Sequence, residues 1–288
     1  MNVFKWLKNK IFRLDKKLLE AVASNDVAQV KMLLDMGANA TVVNKVTKMP
    51  LIHTAALQGN VEIIAELCRY GENINRMNKQ GNTPLHLFAY ANIDGKSMKP
   101  LVDLGADVNA VSNVNETPLH QAVLGGCTKA VRELFLLGAN PEIQDNCHHT
   151  PLSLAVEHNF ADIVKECCIA GADTTVGIYD VQTKSFCGLI EYAQKSGFKD
   201  VESCLSTQPG EIALNHMKEL NKKHLKLKKI SVEKMQKFSQ NNPDFVRFLY
   251  ILNQMAEAEL NSTPQVQFRQ KATLPSTELQ RKKKEKKR

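Results

Sequence analysis

Three histidines, His53, His86 and His120, the run Cys147-His148-His149 and the pair Cys167-Cys168 are the residues of this chain whose types and spacing could carry chemistry. An imidazole exchanges protons near neutral pH and ligates zinc; a thiolate is both a nucleophile and a metal ligand. Nucleophilic catalysis needs more: a Cys or Ser beside a His that is itself oriented by a carboxylate. Cys167 and Cys168 fall in an apolar helical pattern, where burial leaves a thiol inert. A tetrahedral zinc site needs four ligands at workable spacing, and no Cys-x-x-Cys supplies them here. Cys187 is the further thiol that could approach Cys147-His148-His149. The ligand count falls short, so neither a metal nor another cofactor is expected. Gly125-Gly126 lacks the lysine and the strand of a phosphate-cradling loop, so no catalytic residues and no enzyme are expected.

The elements that hold these residues repeat. Thr117-Pro118-Leu119-His120 opens a short helix, Gly125-Gly126 breaks it, a second helix follows, and Gly138 ends that helix. Pro118 suits a first helical position, where φ is fixed and no N–H is needed; Thr117 caps, and a left-handed Gly138 stops. Further copies run from Pro50, Thr83 and Thr150, with degenerate ones from Leu18 and Ile190. Between the equivalent residues Leu18, Ile52, Leu85, Leu119, Leu152 and Ile190 the steps are 34, 33, 34, 33 and 38 residues. Such a period marks a stack of helix pairs that bury their apolar faces against their neighbours. The copy from Thr83 is irregular: Pro100 sits inside its second helix, where it would cost about 3 kcal/mol. That helix is predicted to start late, after a loop at Asn92 to Ser97.

With Thr-Pro-Leu-His starts and the Gly105 to Asn109 stretch Gly-Ala-Asp-Val-Asn, the chain resembles the ankyrin-repeat family over about residues 16–206. The resemblance implies an all-α solenoid of about six repeats with β-hairpin fingers. It implies that His53, His86 and His120 hydrogen-bond backbone between neighbouring repeats. It also implies binding of a protein partner across the finger tips and inner helices. By register the inner-helix positions are Leu57, Gln58, Tyr90, Leu124, Glu157 and His158, and the finger positions include Met77, Asn78, Val111, Asn113, Asn146 and His148. Leu57, Tyr90 and Leu124 would then form an apolar strip with a polar rim.

Residues 207–288 hold 18 Lys and Arg against 8 Asp and Glu, net +10; residues 1–206 hold 20 against 22, net −2. The basic character thus belongs to the C-terminal part, read as a helical region over 207–261 and a disordered tail over 262–288. The run Arg281, Lys282, Lys283, Lys284, Lys286, Lys287 and Arg288 resembles a nuclear-localisation signal for an importin-type receptor, with a solubilising tail as the bland alternative. No specific nucleic-acid recognition is expected. Residues 1–15 form a basic amphipathic helix, read as a cap on the first repeat or, less favoured, as a membrane-surface contact through 1–14. No apolar run approaches the length of about 18 residues that a spanning helix needs. Seven cysteines without a signal peptide point to reduced thiols inside a cell.

The expected function is a non-enzymatic interaction module acting as a monomer. The Asn- and Lys-rich composition, degenerate repeats and unfamiliar helical C-terminal region resemble ankyrin effectors that intracellular bacteria deliver by type IV secretion. That resemblance implies a host protein as partner, in host cytosol or nucleus. A cellular nuclear or cytosolic adaptor, and an enzyme with an activity in the C-terminal helices, stay open as alternatives.

Overall fold

The computed structural model describes residues 3–92, 95–180 and 185–207, with side chains described from Phe12 onward except that of Asp180. All of these lie in the first of two units, residues 1–251 and 252–288. The expected region 207–261, apart from Thr207, and the basic tail 262–288 lie outside the described residues.

Among the described residues six helix pairs follow one another. They are α1 (Val3–Ala23) with α2 (Val27–Asp35), α3 (Leu51–Leu57) with α4 (Val61–Arg69), and α5 (Pro84–Ala91) with α6 (Lys99–Asp103). Next come α7 (Pro118–Leu124) with α8 (Thr128–Leu136), α9 (Pro151–Glu157) with α10 (Ala161–Ile169), and α11 (Leu189–Ser196) with α12 (Lys199–Ser206). First helices pack on first helices and second on second, so α5 touches both α3 and α7 while α10 touches α8 and α12. The result is one apolar core running from Leu14 to Leu205, with Leu18, Ile52, Ile64, Leu85 and Phe88 fully buried. Burial at about 25 cal/mol per Å² of apolar surface is what holds such short helices, since a helix of seven residues is not stable alone.

The start motif works through its histidine. Thr117 N–H donates to His120 Nδ1 (3.1 Å) and the Thr117 hydroxyl lies 2.8 Å from the same atom. Because Nδ1 accepts, the ring proton sits on Nε2, which donates to His149 O of the next repeat (3.1 Å). His86 repeats the arrangement with Thr83 and Glu116 O, at 3.1 and 3.0 Å. His53 reaches Asn82 O at 2.9 Å, but Pro50 stands where Thr83 and Thr117 stand and offers neither N–H nor hydroxyl. The buried His53 Nδ1 is accordingly left without a partner. These bridges are the structural role that the ankyrin resemblance implies. Gly138 ends α8 with φ +97°, as its place after the leucines predicts.

Two differences from expectation concern the ends of elements. The expected cap over 1–15 and the first helix of the first repeat are one continuous rod, α1, because no breaker interrupts the apolar spacing that buries Leu14, Leu18, Ala21 and Val22. The fingers are turns, closed by hydrogen bonds such as Ser112 N–H to Glu116 O (2.9 Å), and among the described residues a paired ladder exists only in the last. There β1 (Gly177–Asp180) pairs antiparallel with β2 (Ser185–Gly188), the longer hairpin expected after Gly171.

The helix expected to start late does so: α6 begins at Lys99, with Pro100 in its first turn, where a missing N–H costs little. Its free N–H groups are served from the next repeat. Glu133 Oε1, on α8, accepts from Met98 N–H (2.9 Å), Lys99 N–H (3.4 Å) and the Ser97 hydroxyl (2.6 Å). The loop before it is tied by Asn92, whose side chain bonds Lys96 N and Lys96 O, both at 2.7 Å.

Candidate partner-binding surface

The finger turns are built by one short polar side chain each. Asn78 Oδ1 accepts from Gln80 N–H and Asn82 N–H, Ser112 Oγ from Val114 N–H and Glu116 N–H, and Asp145 Oδ1 from Cys147 N–H and His149 N–H. Such turns are local, since a short polar side chain satisfies its own backbone. Adjacent fingers are then zipped together. Asn113 N–H donates to Gln80 O (3.0 Å), Asn113 Nδ2 to Lys79 O (2.9 Å) and Asn146 N–H to Val114 O (3.0 Å). Gly81, at φ +79°, permits this closeness: a Cβ there would stand 2.4 Å from Asn113 N.

This places the residues that register singled out. Leu57, Met77, Tyr90 and Val111 are exposed, at 40, 54, 49 and 37 %. Leu124, in register with Leu57 and Tyr90, is half-buried and packs against the core. Gln58 is also half-buried and donates from Nε2 to Ala23 O of the preceding repeat (3.0 Å). Asn78, Asn113 and Asn146 hold the fingers in shape, so their polar atoms are largely committed to backbone. His148 is exposed with φ +65°, and His158 stacks on Phe160 at 5.7 Å. Among the exposed apolar residues outside those register positions are two in finger turns: Val114 beside Asn113, and Val46, 90 % exposed at the tip of the first finger. Each lies inside a polar turn, where the period of the helices gives no guide; an apolar residue within a turn is the signal that would have found them.

Burial sets the chemistry of the titratable groups. It pushes His86 down to about 4 and lowers His53 and His120, against the opposing effect of their backbone hydrogen bonds. All three rings are therefore held neutral. Burial also drives Cys168 up to about 12 and Cys167 well above its ordinary value, which makes neither a nucleophile. Cys187 is buried in β2 opposite Ile178. The fourth finger instead gathers Asp145, Cys147 and His149, whose ligand-type atoms all lie within 4.8 Å of one another. His149 Nδ1 is 3.3 Å from Asp145 Oδ2, and its Nε2 is 4.0 Å from Glu157 Oε2. No described helix is long and apolar enough to cross a membrane.

Comparison with known proteins places this architecture. A family described as ankyrin repeats (3 copies) matches residues 18–112 and 87–177. The last pair, α11 and α12, follows those matches. Over 70 residues, 24 % of this chain, the sequence is 34 % identical to the 2-5A-dependent ribonuclease of Mus musculus. Only 10 % of that relative's length is covered. With the matched residues exceeding half its length and the histidine bridges joining successive helix pairs, the chain belongs to the ankyrin-repeat family.

Proposed function

We propose that this interaction module binds a protein partner through the exposed apolar residues Leu57, Tyr90, Met77 and Val111, with Val114 extending the same surface. The observation that carries this reading is a division of labour within the repeats. The polar finger side chains are spent on finger-to-finger hydrogen bonds, whereas these apolar side chains are left in water. Leu57 and Tyr90 occupy the same register on α3 and α5, and Met77 and Val111 the same register on successive fingers. Contact residues of this kind contribute by losing water against a partner. In this reading the partner is a host protein met after delivery by a bacterium, and the run Arg281 to Arg288 is the address read by an importin-type receptor.

The test is capture of partners from host-cell lysate by the full chain and by a Leu57→Glu/Tyr90→Glu variant, with identification by mass spectrometry. Loss of the dominant partner from the variant, at unchanged thermal stability, is the expected outcome; a partner retained at equal yield overturns the surface. The activity in the mouse relative's name is checked in the same preparation: RNA incubated with the purified chain stays intact under this reading.

A further inference from the structure

We propose that the tip of the fourth finger is a binding site for a borderline divalent transition metal such as zinc, held by Asp145 Oδ2, Cys147 Sγ and His149 Nδ1. The proposal stands on the geometry of this one turn and is independent of the partner-binding reading. Donor chemistry comes first. Imidazole, carboxylate and thiol are the nitrogen, oxygen and sulfur ligands that zinc accepts, and thiol selects against magnesium and calcium. Three such atoms within 4.8 Å come from a five-residue stretch, Asp145 to His149, whose backbone is already fixed. Asp145 Oδ1 accepts two backbone N–H groups, which leaves Oδ2 as the ligand atom. The carbonyl of His149 is held by the Nε2 proton of His120.

The second argument is the placing of the His149 ring. His149 faces a carboxylate at each ring nitrogen: Asp145 at Nδ1, 3.3 Å away, and Glu157 at Nε2, 4.0 Å away. The Nδ1 contact is within hydrogen-bond distance and the Nε2 contact lies beyond it. With a metal on Nδ1, the imidazole carries its one proton on Nε2, the atom that faces Glu157. Glu157 then acts as the outer partner that orients a metal-bound imidazole. Cys147 fits the third corner: it is the exposed cysteine among the described residues, whereas Cys127, Cys167, Cys168 and Cys187 are buried. Bond lengths of about 2.0–2.3 Å put tetrahedral ligands roughly 3.3–3.7 Å apart, so the exposed Cys147 side chain has to swing inward by about 1 Å. On binding, the thiol loses its proton to solvent and forms the metal–sulfur bond; no electron is transferred. The remaining position is open to water.

Cobalt(II) is the probe, because a thiolate ligand gives it a charge-transfer band that carboxylate and imidazole do not. The reduced full-length protein is titrated with cobalt(II) and then with zinc(II), alongside Cys147→Ser, His149→Ala and Glu157→Gln. The expected result is a one-to-one charge-transfer band that zinc abolishes, absent in Cys147→Ser, weakened at least tenfold in affinity in His149→Ala and about tenfold in Glu157→Gln. Circular dichroism of the metal-free variants confirms that each is folded. A wild-type chain with no band, a band that survives Cys147→Ser, or an affinity unchanged in folded His149→Ala overturns the proposal.

Discussion

The joint between the fourth and fifth repeats and the second helix of the third repeat solve the same problem in opposite ways. At the first, Thr117 and His120 lie three residues apart, cap α7 and pass a hydrogen bond on to His149 O. At the second, α6 has five residues, starts late because of Pro100, and has its N-terminus served by Glu133 from the neighbouring repeat. Where a repeat keeps its local motif, it caps itself and bridges outward. Where the motif has drifted, its neighbour supplies the missing acceptor, and the drifted helix then depends on that neighbour.

Acid should break the self-capped joints. Burial holds His86 neutral down to about 4 in the folded chain, against an ordinary value of 6.5. Between those values the unfolded chain binds a proton that the folded chain refuses, so stability is intact above about pH 6.5 and drains as pH falls toward 4. For His86 alone the loss is on the order of 3 kcal/mol, and His53 and His120 shift in the same direction. Thermal midpoints measured from pH 7.5 to 4.5 should fall steeply below 6.5; a flat profile would contradict the neutral-histidine account.

Glu133→Ala should break the borrowed cap. It removes an acceptor shared by Met98 N–H, Lys99 N–H and the Ser97 hydroxyl, for a loss of about 2 kcal/mol. Hydrogen exchange should quicken at residues 98–104 before it quickens in α7. Equal exposure of both regions would show that the cap is not the weak point.

The smallest effect should be a repair. Pro50→Thr gives the His53 ring the N–H and hydroxyl that His86 and His120 already have. A gain of about 1 kcal/mol in chemical denaturation is expected. No gain would mean that the orphaned nitrogen costs little.

Much of this was legible in the residues themselves. The 33- to 34-residue step, the Thr-Pro starts, the stop at Gly138 and the late start forced by Pro100 are local features. Each depends on φ preferences and on side chains within four residues, which a linear chain displays directly. Leu57 and Tyr90 followed from register on short helices. Val46 and Val114 did not, because a turn has no period to extrapolate. Asp145 was passed over beside Cys147-His148-His149, since its place in the cluster comes from an Asx turn that folds its carboxylate back over His149.

By itself, the sequence determined the unit: a helix, a break and a second helix, six times over, with a glycine stop in the first five copies, at Gly37, Gly71, Gly105, Gly138 and Gly171. Tertiary structure alone decided the traffic between units, including Glu133 on the N-terminus of α6, Glu157 beside His149 and Asn113 on the neighbouring finger. The physical reason is distance along the chain. A cap is decided within one turn of helix, but a hydrogen bond between repeats joins groups some 30 residues apart, and only stacking brings them within 3 Å.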